Sequence, residues 1–145
     1  MSAVASVLAL ILFLAFASAG VQKVIFNPLT SSAASHLGFT KSAYRRIGIL
    51  EIVGAIALVV GLTATGSSIE AIVNEVAAAC LVVLMGAAVI IHRRHGDHLA
   101  ALAPALVLGV AALAELVFRL AALSGGQSRV LELVQVATRA HQGEQ

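Results

Sequence analysis

The sequence predicts an all-α integral membrane protein, a bundle of four transmembrane helices with a short C-terminal amphipathic helix or helix extension. Of its 145 residues, 60% are hydrophobic and only 11% are charged, and the mean hydropathy is +1.01. Soluble domains carry about 25% charged residues, so this chain has too few to cover a water-facing surface. Four apolar stretches are each long enough for a helix to cross a bilayer core about 30 Å thick. We therefore exclude soluble enzymes and nucleic-acid-binding proteins.

The first two apolar stretches run from about residue 3 to 24 and from about 44 to 62. Backbone groups in lipid must satisfy their own hydrogen bonds, so long continuous runs indicate helices rather than barrel strands. Although Ala17-Ser18-Ala19 is similar to a signal-peptide cleavage site, no Lys or Arg precedes the apolar core, and we expect this helix to be retained. Between the two spans, residues 26–41 are expected to form an ordered or re-entrant loop.

The third and fourth stretches run from about residue 72 to 91 and from about 99 to 123. Turns are expected at Gly66-Ser67-Ser68 and at His95-Gly96-Asp97. We divide the chain into a transmembrane domain, residues 1–123, and a C-terminal tail, residues 124–145. The tail is expected to form an interfacial helix or to extend the last span, and a frayed polar tail is the alternative.

Basic residues predict the orientation in the membrane, because cytoplasmic loops carry an excess of Lys and Arg. Most of the basic residues flank one side of the predicted bundle. We therefore expect a bacterial cell (inner) membrane protein with loops 23–46 and 92–98 in the cytoplasm and both termini outside. The residues that carry this prediction are Lys23, Lys41, Arg45, Arg46, Arg93 and Arg94.

Glu51 lies inside the second span, where an ionisable side chain costs about 2.5–3.5 kcal/mol. It shares a helical face with small residues, including Gly48 and Gly54, which allow a neighbouring helix to approach closely. We therefore expect Glu51 to point into the bundle, as a proton donor or acceptor or as an anchor for a polar substrate group. The structural alternative is a hydrogen bond between helices or an ion pair with Arg45 or Lys23.

A second set of polar residues lies in the third and fourth spans: Asn74, Glu75, Glu115 and Arg119. Glu115 and Arg119 are four residues apart, a spacing that favours an ion pair on one helix face. Of two carboxyl groups near one Arg, one could stay ionised while the other keeps its proton and acts as a general acid. A purely structural network is the equally weighted alternative.

His92 lies five helical turns from Asn74 on the same face, and it begins a turn that also contains His95, Asp97 and His98. The spacing of these histidines is unspecific for a metal, so we expect headgroup contacts and no metal. A haem held by two histidines needs imidazoles from facing helices inside a bundle, whereas these histidines cluster at one rim. We therefore expect no haem and no other cofactor.

Cys80 is the single cysteine of the chain. One cysteine excludes an intramolecular disulfide and a Cys-x-x-Cys redox pair. Because it lies in an apolar run, we expect Cys80 to be an inert packing residue.

Several short motifs together resemble the DoxX-like family of membrane proteins over about residues 15–114. They are Ala19-Gly20-Val21-Gln22-Lys23, His36-Leu37-Gly38-Phe39, the run from Arg46 to Gly54, Met85-Gly86, and the run from His92 to Asp97. The resemblance implies a four-helix inner-membrane protein, and some relatives are subunits of membrane redox systems that pass electrons to quinones. It also implies that four residues match positions of the family's sequence pattern: Lys23, Glu51, His92 and Asp97. Glu115, Arg119 and the tail after Leu123 lie outside that pattern.

Two functions remain open at this point. The first is binding of, or action on, a lipophilic quinone- or isoprenoid-like molecule, by intramembrane acid/base catalysis such as isomerisation, cyclisation or epoxide opening. The alternative is a non-catalytic accessory subunit whose basic loops dock a redox partner protein. A transporter is weaker, because four helices offer little room for alternating access unless the chain forms a homo-oligomer. The catalytic candidates are Glu51, Glu115, Glu75, Asn74 and His92, and the substrate-binding candidates are Lys23, Tyr44, Arg119 and Asp97.

Overall fold

The computed structural model describes residues 3–61 and 68–143, and in this part of the chain every regular element is a helix. The predicted all-α class is therefore confirmed. The turn predicted around Gly66 and Ser67 lies outside the described residues. The elements are α1 (Ala3–Ile25), α2 (Pro28–His36), α3 (Lys41–Val60), α4 (Ser68–Arg94) and α5 (Leu99–Gly143).

The segment expected to be an ordered loop contains the short helix α2. Asn27 caps its N-terminus by accepting a hydrogen bond from the Thr30 amide at 2.9 Å, and Pro28 occupies the first turn, where its missing N–H costs nothing. Gly38 follows α2 with a φ of 72°, a left-handed conformation that glycine adopts without a steric penalty. These residues fold the segment back across one end of the long helices.

The four long helices pack side by side in a closed ring. Helix α1 contacts α3, α3 contacts α4, α4 contacts α5, and α5 returns to α1. The centre is filled by small and medium apolar side chains, while many large apolar side chains lie exposed on the outside, as expected for a surface in contact with lipid tails. Central residues include Leu12, Phe16, Ala55, Leu58, Ala78, Leu81, Met85 and Ala112.

Three helical segments among the described residues are long and apolar enough to cross a membrane: Val4–Ile25, Ile69–Arg94 and Leu99–Ala122. Together they establish a membrane protein by length and composition. Helix α3 differs from them because it carries two arginines near its start, Arg45 and Arg46, and Glu51 near its middle.

Helix α5 is longer than the predicted fourth span. It continues past Leu123 to Gly143, with Pro104 inside it. Its 45 residues extend about 65 Å at 1.5 Å per residue, roughly twice the bilayer core. The division of the chain into two domains at Leu123 stays a prediction.

Cys80 does not pack inside the protein as expected, because its side chain is exposed on the outer face of α4. Helix α4 turns its neighbours Ala77, Ala78 and Leu81 toward the core instead. The apolar run around Cys80 covers both the buried and the exposed faces of α4, and sequence alone does not separate the two.

Helices α1 and α3 cross at two glycines in direct backbone contact. A Cβ atom added to Gly20 would lie 2.6 Å from the carbonyl oxygen of Gly48, and one added to Gly48 would lie 2.6 Å from the carbonyl oxygen of Gly20. The pairing of Gly20 with Ile52 and of Gly48 with Val24 shows that the two helices are antiparallel. Only glycine at both positions allows this approach.

We predict that Gly48→Ala lowers the free energy of unfolding by about 1–3 kcal/mol, because the added methyl group must push two backbones apart. Gly86→Ala is the matched control, since a Cβ atom there would meet nothing within 4 Å. That change should be neutral or stabilising by up to about 1 kcal/mol, because alanine favours a helix over glycine. The measurement is SDS-induced unfolding in mixed micelles followed by circular dichroism. Equal effects of the two changes would contradict the close crossing.

Candidate functional site

A cavity of about 290 Å³ lies among the four long helices at the end where α3 begins and α4 ends, and the segment after α2 contributes Leu37 and Phe39 to its wall. Most of its lining is apolar. Four polar side chains also line it: Lys23 of α1, Tyr44 and Glu51 of α3, and His92 of α4. The cavity therefore combines an apolar interior with a few polar groups, the usual composition of a small-molecule site.

Lys23 and Glu51 form an ion pair on the cavity wall. The Lys23 Nζ atom donates to both carboxylate oxygens of Glu51, at 2.9 Å to Oε1 and 2.7 Å to Oε2. Glu51 is 2% exposed, and the Lys23 side chain is 19% exposed. A Cβ atom added to Gly20 would lie 3.3 Å from Cβ of Glu51, and one added to Gly48 would lie 2.8 Å from Cβ of Lys23, so the close approach of the two glycines brings the two charged residues together.

Tyr44 lies two turns before Glu51 on α3, and its buried ring is surrounded by aromatic and cationic groups. The Phe26 ring meets it edge-on at a centroid distance of 6.4 Å, and the Phe39 ring is 6.0 Å away. Lys23 Nζ lies 6.0 Å from the centroid of the Tyr44 ring, within reach of a cation–π interaction. These contacts hold the phenol in place beside the ion pair.

Asp97 joins two histidines from different helices, and one of them, His92, lines the cavity. Its Oδ2 atom is 2.5 Å from Nδ1 of His92, and its Oδ1 atom is 2.6 Å from Nε2 of His36. The preceding Gly96 has a φ of 72°, and the Asp97 amide donates to the His92 carbonyl at 3.2 Å, which fixes the turn. Hydrogen bonds from the His36 and His92 rings hold the pKa of the Asp97 carboxyl below its usual range.

The histidine-rich turn itself does not act as one cluster. His95 Nδ1 lies 2.9 Å from the Ile91 carbonyl oxygen, and its ring stands 6.0 Å from that of His36. Within residues 3–61 and 68–143, no group of three or more His, Cys, Asp or Glu side chains is arranged to hold a metal ion. His36 was not among the predicted site residues, although the stretch His36-Leu37-Gly38-Phe39 contributed to the family resemblance.

A second polar cluster, the Asn74–Glu115–Arg119 cluster, lies near the C-terminal end of α3. Asn74 Nδ2 donates to the Leu58 carbonyl at 2.8 Å, and Arg119 Nε donates to Glu115 Oε1 at 3.0 Å. Arg119 Nη1 also donates to the Gly61 carbonyl at 3.2 Å. Glu115 and Asn74 are fully buried. These bonds tie α4 and α5 to the end of α3.

The predicted site residues thus divide into two groups instead of converging on one cavity. Glu51 and Leu58, which mark the two groups on α3, are separated by seven residues, or about 10 Å along the helix. Glu75 is partly buried and does not line the cavity. The first group contains Lys23, Tyr44, Glu51, His92 and, next to His92, Asp97; the second contains Asn74, Glu115 and Arg119.

We predict that Glu51→Gln lowers the free energy of unfolding by about 3 kcal/mol, because it leaves the Lys23 ammonium without its counter-charge. The double change Lys23→Gln and Glu51→Gln should cost less than the sum of the two single changes by about 0.5–3 kcal/mol. The measurement is a double-mutant cycle of SDS-induced unfolding in mixed micelles. Glu132→Gln, on an exposed part of α5, is the control and should stay within about 0.5 kcal/mol of the wild type. If the effects of the two changes on the free energy of unfolding are additive, the interaction between Lys23 and Glu51 makes no net contribution to stability.

Comparison with known proteins gives a match to one family. The model of the DoxX-like family matches residues 7–114. No curated protein and no solved structure matches the chain. The matched region contains every polar residue of the cavity and Asp97, whereas Glu115 and Arg119 lie beyond its end. Because the match covers well over half of the sequence, this chain is a member of the DoxX-like family of membrane proteins.

Proposed function

We propose that this protein crosses the membrane four times, through α1, α3, α4 and α5, and binds a lipophilic small molecule in the cavity beside Lys23 and Glu51. The molecule is quinone- or isoprenoid-like. The bilayer is that of the bacterial inner membrane, with the basic loops 23–46 and 92–98 in the cytoplasm and both termini outside. One observation carries the proposal: a mainly apolar cavity in a membrane protein contains an ion pair, a phenol and an imidazole.

Helix α3 can lie in the bilayer because its buried charge is paired and its arginines lie near the end of the helix. Glu51 is neutralised by Lys23 inside the ring of helices. Arg45 and Arg46 are exposed near the helix start, where long side chains reach the headgroup region. The remainder of α3, from Ile52 to Val60, is apolar. Its neighbours α1 and α4 both have the length and composition of membrane spans.

The size of the cavity favours the headgroup of a lipophilic molecule over a whole lipid. Ligand pockets commonly measure about 300–1,000 Å³, and this one lies at the lower end of that range. A ring or the oxygenated end of an isoprenoid would occupy the cavity, and the apolar chain would pass between helices into the bilayer. Lys23 and Tyr44 would donate hydrogen bonds to an oxygen atom of the ligand.

Acid/base chemistry is the reaction class that these side chains support. Glu51 or His92 would accept a proton from the bound molecule and Lys23 or Tyr44 would supply one, and isomerisation, cyclisation and intramolecular epoxide opening each need only such proton transfers. Exclusion of water by the apolar lining would protect a carbocation-like intermediate. We assign the Asn74–Glu115–Arg119 cluster to holding the helices together at the other end of the protein.

Docking of a redox partner protein is the second candidate function. Arg45, Arg46, Arg93 and Arg94 are all exposed, and they lie at the cavity end of α3 and α4. A surface of this kind attracts an acidic partner and speeds association. In this case the cavity would not need to bind a ligand of its own.

A cavity-filling variant tests ligand binding. Decylubiquinone is titrated into the protein in lipid nanodiscs while the fluorescence of Tyr44 is followed, because the sequence contains one Tyr and no Trp. We expect saturable quenching that farnesol competes away. Ala101→Phe should weaken the affinity at least tenfold, a loss of about 1.4 kcal/mol, because Ala101 lines the cavity.

Ala100→Phe is the matched control, since Ala100 is exposed on the same helix and does not line the cavity. It should bind decylubiquinone as the wild type does. Quenching that never saturates, or that both variants weaken equally, would contradict a site in the cavity and would favour the docking function.

A further inference from the structure

We infer that Asp97 positions the His92 ring so that Nε2 is a hydrogen-bond acceptor for the cavity, which therefore selects lipophilic molecules with a hydroxyl group. A quinol, a phenol or an isoprenoid alcohol has such a group, whereas a quinone has only carbonyl oxygens. The inference rests on the proposed function, and it specifies the chemistry of the ligand that the cavity prefers.

The first step is the contact between Asp97 and His92. An ionised carboxylate has no proton to donate, so a ring nitrogen 2.5 Å from its oxygen must carry the hydrogen of that bond. His92 Nδ1 is therefore the protonated nitrogen. A neutral imidazole has one N–H, which leaves Nε2 with its lone pair. A carboxylate that fixes the tautomer of a histidine in this way is a common device in catalytic and metal sites.

The second step is the state of Asp97 itself. His36, with a side chain 56% exposed, donates to the other carboxylate oxygen from Nε2 at 2.6 Å. Both oxygens therefore accept a hydrogen bond, and the carboxyl group is held ionised and fixed in orientation. His36 belongs to α2 and His92 to α4, so the carboxylate is clamped between two elements.

The third step is the distribution of donors and acceptors around the cavity. Lys23 and Tyr44 are donors on α1 and α3, and Glu51 already accepts two hydrogen bonds from Lys23. His92 supplies an acceptor from α4, on the cavity wall. A ligand hydroxyl can donate to His92 Nε2 and accept from Lys23 or Tyr44 at the same time. A ligand with carbonyl oxygens alone leaves the lone pair of His92 unpaired, which is unfavourable in an apolar site.

The ionisable groups around Asp97 and His92 come from three other helices and from the turn after α4. Lys23 of α1 and Tyr44 and Glu51 of α3 line the cavity with His92, His36 of α2 bonds Asp97, and the His95 ring, in the same turn as Asp97, lies near that of His36. Of these, only Asp97 has a hydrogen bond to the His92 ring among the described residues. Replacement of Asp97 therefore acts on the tautomer of His92 more directly than any other single change.

The experiment compares the wild type with Asp97→Asn by two readouts. The side-chain amide that this change introduces can donate an N–H to Nδ1 of His92, which would move the ring proton to Nε2. In ¹⁵N-histidine NMR at pH 8, assigned by His92→Gln, we expect Nδ1–H in the wild type and Nε2–H in the variant. Anaerobic binding in nanodiscs should show at least a tenfold preference for decylubiquinol over decylubiquinone in the wild type, and the reverse preference in Asp97→Asn. His95→Gln should behave as the wild type does, because among the described residues the His95 ring bonds the Ile91 carbonyl and not Asp97.

The two readouts separate failure of the inference from failure of the proposed function. An Nε2–H or doubly protonated His92 in the wild type overturns the inference, whatever the ligand does. Equal affinity for quinol and quinone, or the same preference in both proteins, also overturns it. Binding of neither compound, with the expected tautomers, overturns the proposed ligand together with its selection by His92.

Discussion

The ion pair between Lys23 and Glu51 is the interaction on which the site depends. A carboxylate that is 2% exposed among apolar helices is costly unless it is paired, and Lys23 meets both of its oxygens within 2.9 Å. The pair exists because Gly20 and Gly48 let two backbones touch one turn away. Packing and electrostatics are thus coupled: the glycines bring the charges together, and the charges hold the crossing closed. The cavity then forms beside a fixed ammonium group.

The polar residues at the two ends of α3 have different surroundings: one group lies beside the cavity, and the other is bonded between helices. At the cavity end, polar groups remain beside open space, and a ligand can reach them. At the other end, Asn74 of α4 and Arg119 of α5 each donate to a carbonyl near the end of α3, and Arg119 also donates to Glu115 on its own helix. The family match includes the whole cavity and stops before Glu115. Every residue that lines the cavity thus lies within the matched region, whereas Glu115 and Arg119 lie beyond its end.

Hydropathy and residue spacing were sufficient to predict much of the fold and part of the site. The small residues on the face of Glu51 indicated that it points inward, and the four-residue spacing of Glu115 and Arg119 indicated their ion pair. Spacing along one helix could not show that Glu51 and Glu115 lie in separate clusters, because this depends on the register between helices. The bond between His36 and Asp97 spans 61 residues and requires α2, whose short polar sequence gave no apolar periodicity. Apolar composition also failed to distinguish an exposed position from a buried one at Cys80.

The ionisation state of Glu51 in the bilayer tests the central claim most directly. Infrared difference spectra of the protein in lipid, wild type minus Glu51→Gln, isolate the absorption of this one side chain. A paired carboxylate predicts the symmetric and antisymmetric stretches of an ionised group at neutral pH, and their replacement by a protonated carboxyl band when Lys23 is changed to Met. A protonated carboxyl band for Glu51 in the wild type, unaltered by the change at Lys23, would contradict the ion pair and the site built on it.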